Sequence, residues 1–185
     1  MEIYFDNSAT TQPFECARQA VLACMTEAYY NPSALYAPAV KVSKILAETR
    51  VAFAREMRVK EEEIIFTSGG TESNVDAILG AVPPRRAKAH VITDLTEHSS
   101  VYETFRHLEQ YGAEVTLLRP NRQGEITPEA LQAAMRPDTR LVSVMQVNNE
   151  TGAVNDIEAL SKTAKRIAPR CIFHCDGVQA FPKLR

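Results

Sequence analysis

The sequence predicts an α/β fold, a mainly parallel sheet with helices on both faces. Three observations predict it. Short β-rich apolar runs recur along the chain, at Ile64-Ile65-Phe66-Thr67, His90-Val91-Ile92-Thr93, Glu114-Val115-Thr116-Leu117-Leu118, Leu141-Val142-Ser143-Val144-Met145 and Cys171-Ile172-Phe173-His174. Stretches with helical periodicity separate them. Cap and breaker residues mark the joints, with none of the repeats or low-complexity segments of other architectures.

The elements follow in order. Ile3 to Phe5 is a short apolar start, and Ala17, Val21, Cys24 and Ala28 then mark an amphipathic helix from Pro13 to about Tyr30. Thr11 is its expected cap, with Pro13 in the first turn. Asn31-Pro32-Ser33 breaks it, and Val42, Ile45, Leu46, Thr49, Phe53 and Met57 line a second long helix. The first strand run leads to a helix over about Thr71 to Leu79, the second to one over about Ser99 to Tyr111. Thr127-Pro128-Glu129 opens another with a cap, a first-turn proline and an early acid. Ile157, Leu160, Ala164 and Ile167 mark the last. Connections should be right-handed crossovers, and ligands in such folds sit beyond the carboxyl ends of the strands.

The 185 residues are 45% hydrophobic and 24% charged, with a net charge of -2. This is an ordinary soluble composition in the size range of one domain. It gives no electrostatic footprint for nucleic acid or an anionic membrane. No apolar run approaches the roughly 20 residues of a membrane span. The start, Met1-Glu2-Ile3-Tyr4-Phe5-Asp6, carries acid where a signal peptide carries base, so a cytosolic protein is expected. Cys16, Cys24, Cys171 and Cys175 lie in apolar patterns and are expected as buried thiols. Cys171 and Cys175 point away from His174 on a strand, and no second ligand pair exists, so no metal is expected.

Four polar clusters follow strand runs. Thr67-Ser68-Gly69-Gly70-Thr71-Glu72-Ser73-Asn74 joins a strand to a helix. Glycines admit a close ligand, and a helix N-terminus presents unpaired N–H groups, so it reads as a phosphate cup or as a plain tight turn. Thr96-Glu97-His98-Ser99-Ser100 offers an imidazole that could stack on a flat ring or move protons, or a surface cap. Val147-Asn148-Asn149-Glu150-Thr151-Gly152 could be a turn and nothing more. In His174-Cys175-Asp176-Gly177-Val178-Gln179, Asp176 could pair with a protonated ring nitrogen or cap the next turn.

Taken in order, these clusters resemble the cysteine desulfurases of the NifS/IscS type, within the class-V aminotransferase group of fold-type I pyridoxal-phosphate (PLP) enzymes. Tyr4-Phe5-Asp6-Asn7-Ser8-Ala9-Thr10-Thr11 is similar to their opening, and the likeness covers essentially the whole chain. It implies that Gly70 and Thr71 bind the PLP phosphate. His98 would stack on the ring as the catalytic candidate. Asn149 would lie near the cofactor oxygen and substrate, Asp176 would pair with the pyridine nitrogen, and Gln179 would bond the phenolic oxygen. The implied reaction converts L-cysteine to L-alanine with persulfide sulfur transfer, for iron–sulfur cluster or thio-cofactor assembly. It also implies a homodimer and a sulfur-acceptor or scaffold protein as partner.

The sequence departs from that pattern in two places. Residues 1–185 correspond to the N-terminal segment and an incomplete large PLP-binding domain. The Schiff-base lysine, the persulfide cysteine and the small domain would fall beyond Arg185, so this stretch alone is expected to be inactive. None of Lys41, Lys44, Lys60, Lys88, Lys162, Lys165 and Lys183 matches the lysine position. Asn31-Pro32-Ser33-Ala34-Leu35-Tyr36-Ala37-Pro38 has Ala34, Tyr36 and Pro38 where relatives often carry Ser, His and Gly. Two alternatives stay open: a selenocysteine lyase or other class-V relative, and a non-catalytic truncated binding or scaffold protein.

Overall fold

Successive side chains on a strand point to opposite faces, and β1 (His90–Asp94) uses that alternation to build two cores. Val91 packs with Ile78, Val101, Phe105, Leu108 and Leu141, while its neighbour Ile92 packs with Leu118, Leu131, Val142, Leu160 and Ala164. The first core is covered by α3 (Gly70–Ala81) and α4 (Ser99–Gln110), the second by α5 (Pro128–Ala134) and α6 (Ile157–Ile167). Helices therefore lie on both faces of the sheet, as the alternation of runs predicts.

The computed structural model describes residues 3–82, 88–181 and 183–184. Met1 and Glu2 of the N-terminal run lie outside the described residues. The chain divides into two compact units, Met1–Phe66 and Thr67–Arg185.

The second unit holds the sheet. Its strands β1, β2 (Glu114–Leu118), β3 (Thr139–Ser143) and β4 (Ile172–His174) are ordered β2-β1-β3-β4, and every pairing is parallel. The chain steps one way from β1 to β2 with α4 on one face. It reverses to reach β3 and β4 with α5 and α6 on the other face. Helices change face where the direction of travel reverses, so the three crossovers share one hand. The reversal also opens a crevice at the carboxyl ends of β1 and β3, where ligands bind in open sheets of this kind.

Local chemistry sets the ends of the elements. Thr127 caps α5, its hydroxyl accepting from the Ala130 N–H, and Pro128 fills the first turn. Asp156 caps α6 through the Ala159 N–H. His90, buried at the start of β1, pairs its two ring nitrogens with Thr139 and Thr116 and so ties three neighbouring strands.

The first unit contains α1 (Glu15–Thr26), α2 (Ala37–Met57) and a short 3-10 turn at Glu61–Glu63. Arg50 on α2 donates to the Ile64 carbonyl and lies over the Phe66 ring, which packs edge-on to Phe53. Tyr29 stacks on Tyr30, which meets Tyr36 at its edge.

Three expectations are corrected. Ile64–Thr67 is not a strand: the segment is extended but has no ladder partner among the described residues, and Ile65 is exposed. Thr11 does not cap α1. Its hydroxyl turns back to the Asn7 side chain, and Phe14 stands at the cap position with no side-chain bond. Cys16 and Cys24 are exposed, because α1 buries no residue; Cys171 is buried and Cys175 partly so.

Candidate active site

Turn residues bring α3 to the carboxyl edge of the sheet. Gly69 precedes α3 with no side chain to cover the first-turn N–H groups, and Gly70 begins the helix. Those groups lack partners within the helix and carry partial positive charge, which suits an anion. A Cβ at Gly70 would stand 2.8 Å from Val178 Cγ2, so glycine lets α3 close on the turn that follows β4. Thr71 lies exposed in that first turn. Glu72 accepts from the Ser68 N–H, and hydrogen bonding from the Ser68 side chain, then from that N–H, holds its carboxyl below the usual range.

One helical turn beyond Gly70, Asn74 is 5% exposed and bonds two ways. Its Nδ2 donates to Asp176 Oδ2 at 2.8 Å and to Ser100 Oγ at 2.9 Å. Asp176, 7% exposed, also accepts the Val178 N–H on Oδ1 at 2.9 Å. A carboxylate offers about four lone-pair sites, so these two bonds orient it and leave capacity for a further donor. Ser100 Oγ in turn pairs with His98 Nδ1 at 2.8 Å. His98 caps α4 by accepting the Ser100 N–H, and its ring is exposed. The side chains of His98, Ser100, Asn74 and Asp176 thus form one continuous hydrogen-bonded line.

The remaining loops join the same edge. Gln146 N donates to the Asp176 carbonyl, and buried Asn148 donates to the Thr96 carbonyl. Asn148 Oδ1 accepts from the Glu150 and Thr151 N–H groups, and Gly152 adopts φ 74° to complete the turn. Asn148 is therefore the structural half of the amide pair, and Asn149 beside it is half-buried. Gln179, also half-buried, accepts from Lys183 Nζ at 3.1 Å.

Gly70, Thr71, His98, Asn149, Asp176 and Gln179 thus come from α3, the α4 cap and the loops after β3 and β4, all at the carboxyl edge of one sheet. The donor set fits PLP: an uncovered helix N-terminus for a phosphate and a buried, oriented carboxylate for a ring N–H. Asn74 and Ser100 connect the clusters, though sequence reasoning offers Asn74 no role and Ser100 only that of a helix cap, which His98 takes instead. Their signal was position: each lies on the inward side of the first turns of a helix that starts with a cluster residue.

Residues 3–185 match the family model for aminotransferase class-V. The chain belongs to the class-V aminotransferase family. Among curated relatives, a "NifS/IcsS protein homolog" of Lactobacillus delbrueckii subsp. bulgaricus is 42% identical over 98% of this chain and 47% of its own length. "Cysteine desulfurase 2" of Trichormus variabilis is also 42% identical, over 98% of this chain and 45% of its own. Among solved structures, DndA from Streptomyces lividans aligns with a TM-score of 0.84 at 34% identity, covering 98% of this chain and 51% of DndA. SspA in complex with cysteine aligns with a TM-score of 0.87 at 34% identity, covering 93% of this chain and 49% of SspA. The chain spans about half the length of the curated relatives it matches.

Proposed function

We propose that the protein containing this chain is a PLP-dependent cysteine desulfurase, and that this class-V unit supplies much of its cofactor pocket. The single observation that carries the reading is the Asn74 bridge, which sets Asp176 one helical turn from the Gly70–Thr71 N-terminus. Relatives named as cysteine desulfurases and a structural neighbour holding cysteine support the substrate.

Each residue then has a task. The first-turn N–H groups at Gly70 and Thr71 would hold the phosphate, with the Thr71 hydroxyl as an added donor. Asp176, fixed by Asn74 and the Val178 N–H, would keep a proton on the ring nitrogen. His98, steadied by Ser100, would lie against the ring and could carry a proton to or from the substrate. Asn149 and Gln179 would bond the phenolic oxygen and orient the substrate. PLP, when bound, supplies an electron sink that labilises bonds at the substrate's α-carbon.

In the balanced reaction, L-cysteine and an enzyme thiol give L-alanine and an enzyme persulfide. Neither thiol near the sheet suits the receiving role. Burial raises Cys171, and burial together with Glu97 and Asp176 pushes Cys175 up to about 11, so neither supplies a ready thiolate near neutral pH. The receiving thiol and the covalently bound lysine would come from elsewhere in the protein, since none of the chain's lysines or cysteines matches those positions. The same reading includes a cytosolic homodimer that passes sulfur to an acceptor protein for iron–sulfur cluster or thio-cofactor assembly.

The test is turnover by the full-length protein with PLP, L-cysteine and a reductant. Stoichiometric alanine and sulfide are expected, with a sharp loss in Asp176→Ala. Selenide release from L-selenocysteine with no turnover of L-cysteine would overturn this assignment in favour of a selenocysteine lyase.

A further inference from the structure

Behind the site runs a line of buried polar groups that none of the roles above uses. Glu97, in the loop after β1, is 9% exposed. Its Oε1 accepts from Ser143 Oγ at 3.1 Å, and Ser143 Oγ pairs with His174 Nδ1 at 2.8 Å. Its Oε2 has no hydrogen-bond partner among the described residues, and neither has Asp94 Oδ2.

The titratable groups that face Glu97 come from three places: Asp94 on β1, Asp176 and Cys175 after β4, and His174 at the end of β4 through Ser143. None of them brings a positive charge to Glu97. Burial lowers His174 and so favours its neutral form, against an opposing pull from Asp176. An ionised Glu97 would be a buried anion beside other carboxylates with no cation, a costly state. Burial is the largest cause that pushes Glu97 up to about 8, followed by the charge of Asp94, with Asp176 adding; Ser143 and the Met145 N–H oppose it.

We propose that Glu97 keeps its proton in the folded protein and acts as a positioning residue for the ring end of the cofactor site, working through Ser143, His174 and Asp176. The inference rests on the PLP reading above and adds to it a residue that touches no cofactor atom. A neutral Glu97 leaves Asp176 without a second anion behind it. Its Oε1 takes the Ser143 hydroxyl proton, which leaves Ser143 Oγ to accept from His174 Nδ1 and so sets the tautomer of His174, two residues before Asp176. The sign of the pH effect follows. The unfolded carboxyl releases its proton near 4.5 and the folded one near 8, so the contribution to stability is complete below the first value and is lost as pH rises toward the second.

The experiment is carboxyl-region infrared or 13C spectroscopy of the full-length protein across pH, with Glu97→Gln assigning the signal. A protonated carboxyl signal is expected at about pH 6 that titrates near 8 and is missing from Glu97→Gln. Asp176→Asn should lower that midpoint by about half a pH unit or more, and Ser143→Ala should raise it, since each removes one named cause. Saturation with PLP, verified by its own absorbance, should also lower it, because a positive ring nitrogen offsets the Asp176 charge. An ionised Glu97 at about pH 6, or a midpoint that neither Asp176→Asn nor bound PLP moves, overturns the proposal. Failure of PLP to bind at all would instead strike the functional reading, and the Asp176→Asn and Ser143→Ala shifts would still decide the role of Glu97.

Discussion

Asn74 holds the two halves of the site together with one amide group. Its Nδ2 serves both Asp176 and Ser100, and all three side chains are buried. Removing it leaves two buried acceptors without their donor, at a cost of about 1–3 kcal/mol. Asn74→Ala should therefore lower stability by that amount in urea unfolding and weaken PLP in an absorbance titration. Asn74→Asp should be worse on both, because it sets a like charge against Asp176; equal or better binding in Asn74→Asp would show that the bridge does not orient the carboxylate. At this scale the sequence was only partly legible. Asp176, His98, Gly70 and Thr71 stood out because the family resemblance gives each of them a role at the cofactor. Asn74, Glu97, Ser143 and His174 did not, because their importance comes from burial beside one another, and contacts between residues as far apart as Glu97 and Ser143 exist only once the sheet has formed.

At the level of elements, the approach of α3 to the turn after β4 is set by the missing side chain at Gly70. Gly70→Ala puts a methyl 2.8 Å from Val178 Cγ2 and should destabilise by about 1–3 kcal/mol, more than the helix propensity gained by alanine returns. Val178→Ala in the same chain should recover part of that loss, a coupling that a double-mutant cycle in urea measures. Additive effects would mean that the two residues do not meet. Helices and most strands were readable from periodicity and caps, and Thr127, Pro128 and Glu129 behave as their types dictate. The errors have separate causes. Ile64–Thr67 has strand composition, but a strand also needs a neighbour, which composition cannot supply. Thr11 is a good cap by type, yet its hydroxyl finds Asn7 first. Cys16 and Cys24 share an apolar pattern with Val21, but a pattern states which side of a helix seeks cover, not whether cover is present.

For the whole molecule, the parallel order β2-β1-β3-β4 concentrates function on one edge. The reversal of direction between β2 and β3 places the loops after β1, β3 and β4 and the N-terminus of α3 around one crevice, so residues more than a hundred positions apart come to a single hydrogen-bonded line. This arrangement was legible from the order of motifs and the rule for open sheets, while the distances within it were not. The first unit exposes large apolar side chains, Leu35 at 95% among them, and its α1 buries none. The class-V family gives the chemistry a framework, and the geometry of this edge gives each residue its place in it.

The most direct measurement is a crystal structure of the full-length protein with PLP. The phosphate is predicted at the N–H groups of Gly70 and Thr71, with the pyridine nitrogen in hydrogen-bond contact with Asp176 and the ring against His98. Density for the phosphate away from the start of α3, or a ring nitrogen turned away from Asp176, would contradict the account.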